Sequence, residues 1–534
     1  MKEKTLFIDL THNDLVNYIW SLFDNVVVEF LKENQDIKIE DLLVDKANFS
    51  ETTRNILMGD LTSVKDKIAF YRFVERVYDA WRNYKRYVII DSSKTMLISD
   101  QNFLEVFDRF NKTLISSYRR ICENLTGKQF SVYRELPAGG NAGILLNRLA
   151  NDIYPALADI NVVEKVAFLT PFVSYSANNK RSGIFPITDK NPLLSLEIKD
   201  KNDWLCVPIL VGHSKVFVYF KKRYTSLALS LSNLFEFDSE YKKGRPDCII
   251  LFGSNVEDGI YYDDKEKVIV ANLLERDEID YFGYLKKIIL TAHNLKMIKE
   301  DKLPIHGAGV SILLKNNERK NVILVGDSGA GKSETLEALR RVALDYIYDI
   351  QTIYDDMGTL EIVDGEIYTY GTEIGAFVRT DDLANDYVYK VFDRAIFLNP
   401  NEKNARLVLP VSSYQTVINK YKVDFLLYAN NYEESAQKIK QFLDSNTALE
   451  TFKAGRRVAL GTTSEKGLVS TYFANPFGPV QEREKTDLLL DKYFDLLFKK
   501  QIFVGEIHTG LALENGSEKP LEAALELLEK LKER

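Results

Sequence analysis

The chain is poor in cysteine and has no long apolar run. Three cysteines, Cys122, Cys206 and Cys248, are spread over 534 residues without a C-x-x-C pair. That spacing argues against a disulfide framework and against a cysteine-built zinc site, and leaves buried reduced thiols. No apolar stretch reaches the about eighteen residues of a membrane-crossing helix. The opening "MKEKTLFIDLTHNDL" puts charged and polar residues where a signal peptide needs an apolar run. There is no internal repeat and no low-complexity linker. Positive charge is in deficit, with a formal net charge of −8, which disfavours non-specific nucleic-acid binding. These absences predict a cytoplasmic chain with no membrane and no nucleic-acid partner. What is present is ordinary for a globular protein: 45% hydrophobic and 28% charged residues, in a chain long enough for two or three domains.

Periodicity divides the chain into three parts. Residues 1–150 read as a helical N-terminal domain of unassigned role, a possible surface for a protein partner. "LVNYIWSLFDNVVVEFLKEN", "VKDKIAFYRFVERVYDAWRNYKRYVI" and "SDQNFLEVFDRFNKTLISSYRRICENL" carry apolar residues at three- and four-residue spacing. The last has Ser99 or Asp100 as its cap. In "YRELPAGGNAGILLNRLA", Pro137, Gly139, Gly140 and Gly143 predict a loop running into a further helix. It is read as a tight turn, with an anion-holding loop as the alternative. Residues 151–300 read as an α/β domain: "WLCVPILVG", "KVFVYF", "CIILFG" and "KVIVANLL" are strand-like, with helices around 224–236 and 280–299. Residues 301–534 alternate strands and helices. The strand-like "GEIYTYG" follows an Asp364-Gly365 turn, and "PLEAALELLEKLKER" is an amphipathic helix.

The most informative stretch is "ILVGDSGAGKSETL". It fits G-x-x-x-x-G-K-[ST] at Gly326, Gly331, Lys332 and Ser333, between an apolar strand and a helix-forming run. The loop Gly326–Gly331, through Ser328, Gly329 and Ala330, turns backbone N–H groups toward phosphate oxygens. The helix start at Ser333 and Glu334 adds a partial positive charge. Lys332 is placed to neutralise β/γ oxygens, and the Ser333 hydroxyl to ligate a divalent cation. About twenty residues on, "DIQTIYDDMGTLEI" supplies Asp355 and Asp356, read as an acidic pair at a strand end suited to Mg²⁺ or Mn²⁺ beside ATP; a solvated turn is the alternative.

"GDSGAGKSE" resembles the phosphate loop of HPr kinase/phosphorylase, a protein-serine kinase that shares its nucleotide core with phosphoenolpyruvate carboxykinase. The wider chain is similar to the ATP-dependent carboxykinase family. "GRPDCIILFGSNV", "YFGYLKKIILTAHNL", "PIHGAGVSI", "YDDMGTLEI", "GTEIGAFVRTDDL", "NARLVLP", "YFANPFGP" and "IHTGLAL" resemble successive segments of that family, in the same order, from roughly residue 240 to 520. The resemblance implies carboxykinase-like α/β domains behind the helical N-terminus. It implies Asp355 and Asp356 as the metal-binding acidic pair, with Lys287, His306 and Asp356 holding a transition metal and Ser333 a second cation. Lys332 keeps its phosphate role, Arg406 bridges γ-phosphate and substrate, and Tyr281 stands near the substrate. A lysine can ligate only when neutral, a state that a metal and neighbouring cations favour. The implied reaction converts oxaloacetate and ATP to phosphoenolpyruvate, ADP and CO₂.

Some segments depart from that pattern. Asp327 and Ser333-Glu334 follow the HPr kinase loop, which implies the alternative: a kinase acting on a protein or small-molecule hydroxyl, with Asp355 or Asp356 as base. Val378-Arg379 replaces the carboxykinase tyrosine-alanine-lysine run. The threonine-arginine pair near the adenine is absent from "NGSEKPLEAALELL". The dicarboxylate-binding arginine has no secure counterpart; Arg134 and Arg181 are the candidates.

Overall fold

Runs of β-branched and aromatic residues make the strands of this mixed α/β chain, and amphipathic helices cover them. The computed structural model describes all residues except 1–3, 11–14, 45–48, 93–99, 135–137, 150–152, 179–184, 343–345, 381–390, 403–404, 461–465, 517 and 534. Ser99, Pro137 and Arg181 lie outside the described residues. The chain divides into two units, Met1–Leu149 with Asn161–Phe172, and Ala150–Ile160 with Val173–Arg534. No described helix is long and apolar enough to cross a membrane.

In the first unit, strands β1 (Thr5–Asp9), β2 (Lys85–Asp91), β3 (Ala142–Arg148) and β4 (Asn161–Phe168) pair in that order. The first three are parallel and β4 is antiparallel to β3. Helices α1 (Leu15–Glu33), α2 (Phe49–Leu57), α3 (Lys67–Arg82) and α4 (Asp100–Thr126) accompany them. The expectation of an all-helical segment is therefore corrected to helices plus a sheet. Two local readings change for physical reasons. The helical spacing of "AFYRFVERVYDAW" stops at the Asn83 cap. The following "RYVIID" is buried along its length and pairs on both sides, which only a strand allows. "AGILLNR", expected to open a helix, is strand β3, with Gly143 packed under the Phe107 ring. Arg86 is buried and donates to the carbonyls of Gly139 (2.6 Å), Trp81 (2.7 Å) and Tyr84 (2.8 Å).

The second unit holds two larger sheets. In one, β5 (Trp204–Val211), β6 (Ser214–Lys221), β7 (Cys248–Ser254), β8 (Gly259–Asp263) and β9 (Val268–Leu274) pair in the order β5-β6-β7-β9-β8. All four segments expected as strands here are strands. Helix α5 (Phe282–Lys299) packs on β9 and β7 and is buried on nearly every side. Its polar residues Lys286, Lys287, His293 and Asn294 are therefore inside the protein.

The other sheet carries the phosphate motif. Its strands are β10 (Leu303–Leu314), β11 (Arg319–Val325), β12 (Ile347–Val363), β13 (Glu366–Gly371), β17 (Phe425–Asn430), β18 (Ile439–Gln441) and β21 (Phe503–His508). Their order is β13-β12-β10-β11-β17-β21-β18, and β11, β17 and β21 are parallel. Asp364 and Gly365, at φ 51° and 74°, make the β12–β13 hairpin turn. A small sheet pairs β14 (Gly375–Arg379), β16 (Arg406–Pro410) and β15 (Ile396–Leu398). Helices α6 (Lys332–Val342) and α9 (Lys519–Glu533) cover one face, through Leu339, Leu427 and Leu527. Helices α7 (Ser445–Ala454) and α8 (Arg483–Lys499) cover the other, through Phe452, Leu490 and Tyr493. Between α7 and α8 lies a hairpin, β19 (Arg456–Val458) and β20 (Leu468–Ser470). The carboxyl ends of β11, β17 and β21 thus lie side by side, the place where open α/β sheets bind ligands.

Candidate active site

The chain leaves β11 at Val325 and turns through Gly326–Gly331 into α6. Three neighbours pin the turn. The Gly326 N–H donates to the His306 carbonyl (3.0 Å), Asn431 Nδ2 to the Gly329 carbonyl (2.9 Å), and Thr509 Oγ1 to the Ala330 carbonyl (2.7 Å). Gly331 is at φ +90°, and a Cβ there would lie 2.5 Å from Thr509 Oγ1, so only glycine fits. Lys332 is buried and donates through Nζ to the carbonyls of Gly326 (2.7 Å) and Asp327 (3.1 Å). Ser328, Ser333 and Glu334 are exposed at the mouth of the loop. A tight glycine turn, a helix N-terminus and one lysine form an anion cradle.

The acidic pair is not at a strand end. Asp355 and Asp356 lie inside the long β12, opposite Ala308 and Gly307 of β10, next to a register shift at Gly309/Val310. Asp355 Oδ1 accepts from Ser333 Oγ at 2.9 Å. Asp356 Oδ1 is 2.9 Å from His306 Nε2, and its Oδ2 accepts from Lys286. Lys286 Nζ also lies 3.0 Å from Glu373. Burial alone would raise Asp356, but Lys286 and then His306 outweigh it and hold the carboxyl well below the usual carboxylate range. Burial raises Glu373 to about 8 against the opposing charge of Lys286, with Asp356 adding to the rise. The lysine itself is raised, because these two carboxylates outweigh its burial.

His306 Nδ1 faces the Ala474 carbonyl at 2.8 Å. That carbonyl comes from two consecutive buried non-glycine residues in the left-handed region, Phe473 (φ 53°) and Ala474 (φ 50°). Strain of this kind persists where surrounding structure over-determines it. Both ring nitrogens of His306 thus face oxygen acceptors. The ring satisfies both only with two protons, or with a cation in place of the Nε2 proton.

The remaining residues carried over from the resemblance gather on aromatic rings. Arg406 and Lys286 lie over the Phe377 ring (5.2 and 5.9 Å to its centroid), and Tyr281 is a ring neighbour of Phe377 at 6.4 Å. Lys287 Nζ is 5.7 Å from the rings of both Phe185 and Phe477, and Phe477 also neighbours His306 at 5.8 Å. The fold therefore joins the loop, Ser333, Asp355, Asp356 and His306 through Lys286 to Phe377, Arg406 and Tyr281. It brings Lys286, not Lys287, onto Asp356. Arg134 is an exposed residue of the first unit whose carbonyl accepts from Arg119.

The donor chemistry suits hard cations. A serine hydroxyl and a carboxylate beside a phosphate cradle are what Mg²⁺ takes from a protein, the rest coming from phosphate and water. A nitrogen and an oxygen 2.9 Å apart, as in His306 and Asp356, can occupy adjacent positions around one transition metal. No group of three or more His, Cys, Asp and Glu side chains among the described residues is arranged to hold a metal. Each seat is thus a pair.

Sequence reasoning missed Lys286, Glu373, Phe377, Asn431 and Arg457 as parts of the site. Glu373 and Phe377 stand in "GTEIGAFVRTDDL", a segment singled out by resemblance, and Lys286 is next to Lys287, so a signal existed for those three. Asn431 and Arg457 have no local pattern. Fold and site define a mixed α/β protein in which a strand–glycine loop–helix turn stands beside an acidic pair. No protein-family model matches the chain, and no curated protein matches it.

Proposed function

We propose that the chain is an ATP-dependent carboxykinase-like enzyme that converts oxaloacetate and ATP to phosphoenolpyruvate, ADP and CO₂. The observation that carries this reading is that the strand neighbours Asp355 and Asp356 join two sets of contacts, Ser333–Asp355 at the phosphate loop and His306–Asp356–Lys286 leading to the Phe377 ring under Arg406. A phosphoryl donor and an acceptor need to meet across such a span. Mg²⁺ and Mn²⁺, when bound, would supply charge neutralisation at the phosphates and at the oxygen that becomes an enolate. Lys332 moves from the loop carbonyls to the incoming phosphates. Ser333 and Asp355 form one cation seat; His306 and Asp356, with Lys287 as the third donor implied by resemblance, form the other. Arg406 spreads charge on the transferring phosphoryl group. Breaking the carbon–carboxylate bond leaves its electron pair on the enolate, whose oxygen takes the γ-phosphoryl while ADP departs. No general base is required. The fold would then be carboxykinase-like in its second unit.

One feature favours a second reading. Asp327 and Glu334 give the loop an HPr-kinase style, and Asp355, hydrogen-bonded to Ser333, could accept a proton from a hydroxyl acceptor. That enzyme would phosphorylate a protein or small molecule, with the first unit as a possible partner surface. Cytoplasmic residence belongs to both readings.

The deciding measurement is phosphoenolpyruvate formation from oxaloacetate and ATP with Mg²⁺ and Mn²⁺, with Lys332→Ala as control. The expected result is product that falls at least about a hundredfold in the variant. Nucleotide binding without product from oxaloacetate would reject the carboxykinase reading in favour of a hydroxyl acceptor.

A further inference from the structure

Asp327, the second residue of the phosphate loop, is buried, and its carboxylate has four neighbours from four segments. Oδ1 accepts from the Ser328 N–H at 2.7 Å and lies 3.5 Å from His306 Nδ1. Oδ2 accepts from Arg457 Nη2 at 2.9 Å and from Thr471 Oγ1 at 3.1 Å. Burial would raise this carboxyl, but His306, Arg457, the Ser328 N–H and Lys332 together keep it lowered. Its backbone carbonyl accepts from Lys332 Nζ. Asp327 therefore meets the loop lysine through its carbonyl and stands 3.5 Å from the His306 ring through its carboxylate. The Ala474 carbonyl orients that ring at 2.8 Å, so the carboxylate acts on it through charge.

We infer that Asp327 is a positioning residue that couples phosphate binding in the loop to cation binding at His306 and Asp356. This rests on the carboxykinase-like reading of the site. An arriving phosphate takes Lys332 away from the carbonyls of Gly326 and Asp327. The loop then shifts, and the Asp327 carboxylate moves with it against the His306 ring. Arg457, at 2.9 Å, holds the other carboxylate oxygen, so the motion is directed toward the histidine. The structure offers no second direct contact between loop side chains and His306 among the described residues; the remaining link is the backbone bond from the Gly326 N–H to the His306 carbonyl. Coupling through a loop carboxylate gives ordered loading: nucleotide and cation each tighten the other, by the same factor.

The test measures Mn²⁺ affinity by electron paramagnetic resonance with and without ADP, and ADP affinity with and without Mn²⁺, on the full chain. The wild type is expected to show at least about fivefold mutual tightening. In Asp327→Asn, which keeps the size and the Ser328 acceptor, tightening is expected to fall below about twofold, read as the ratio of each affinity with and without the other ligand. Thr471→Val, which removes only a contact to Oδ2, is expected to keep the coupling. Equal coupling in wild type and Asp327→Asn overturns the inference and leaves the reading of the site intact, as does independent binding of the two ligands in the wild type. A wild type that binds neither ligand overturns both. Should Asp327→Asn fail to fold, histidine side-chain ¹⁵N spectra decide, with the His306 signals assigned by His306→Asn. ADP added to metal-free wild type is expected to shift those signals, and an unmoved His306 overturns the inference.

Discussion

Lys286 and Lys287 are neighbours on α5, about 100° apart around the helix axis, and so meet different partners. Lys286 lies between Asp356 and Glu373; Lys287 lies between the Phe185 and Phe477 rings. Removing one partner of a buried ion pair leaves uncompensated charge and costs about 3–5 kcal/mol. Lys286→Met is therefore expected to lower unfolding stability by that amount, measured by urea denaturation. Lys287→Met, which takes the ammonium from the Phe185 and Phe477 rings, should weaken Mn²⁺ binding about tenfold or more. The opposite pattern would make Lys286 the ligating lysine. Which of the two meets the acid was not legible: the resemblance pointed to Lys287, and one register step along the helix puts Lys286 on Asp356. The phosphate loop was legible outright, because strand, glycines, lysine and serine are contiguous. The Asp327–Arg457 and Asn431–Gly329 contacts were not, because each joins distant segments that only the tertiary fold brings together.

At the scale of elements, the strands of the second unit were readable because runs such as "CIILFG" and "KVIVANLL" are buried on both faces. The first unit was harder. There helix and strand abut without a glycine or proline between them, so the spacing of α3 seemed to run on into β2. The joint between α7 and β19, by contrast, carries a glycine. Gly455 ends α7 at φ +52°, and a Cβ there would lie 1.9 Å from the Thr471 carbonyl oxygen and 2.5 Å from the Ala474 N. That one turn sets Arg457 on Asp327 and the Ala474 carbonyl on His306. Gly455→Ala is expected to cost more than the about 1 kcal/mol of a left-handed alanine, because backbone must move, and to weaken nucleotide binding measurably. Gly467, at φ +74°, has no atom of a described residue, its chain neighbours aside, within 4 Å of its added Cβ. Gly467→Ala should show the conformational cost in a thermal melt and leave nucleotide affinity unchanged. Equal effects of the two on nucleotide affinity would mean that the hairpin does not position the loop.

For the molecule as a whole, Asp327, Asp356 and His293 of the second unit make stability fall on acidification in two separate windows, while Glu373, raised from 4.5 to about 8, acts in the opposite sense between those values. Asp327 and Asp356 are held below their ordinary values. Their contribution is present above pH about 3.8 and is lost as pH falls through their lowered folded values. His293 acts higher. It lies fully buried in α5, with Nδ1 3.1 Å from Asn294 Oδ1, and burial lowers it to about 4. An unfolded histidine takes up its proton near pH 6.5. Between about 6.5 and 4 the unfolded chain therefore binds one proton that the folded chain refuses, so stability rises with pH across that window and is lost as pH falls. The full loss attached to this one ring is about 3 kcal/mol. His293→Gln, close in size and unable to titrate, is expected to take the His293 contribution out of the slope between pH 6.5 and 4, leaving the opposite contribution of Glu373 and the loss at lower pH in place. Urea denaturation at half-unit pH steps measures both. An unchanged slope between pH 6.5 and 4 would mean that the His293 proton is accommodated in the fold, and the acid sensitivity would then belong to the carboxylates alone.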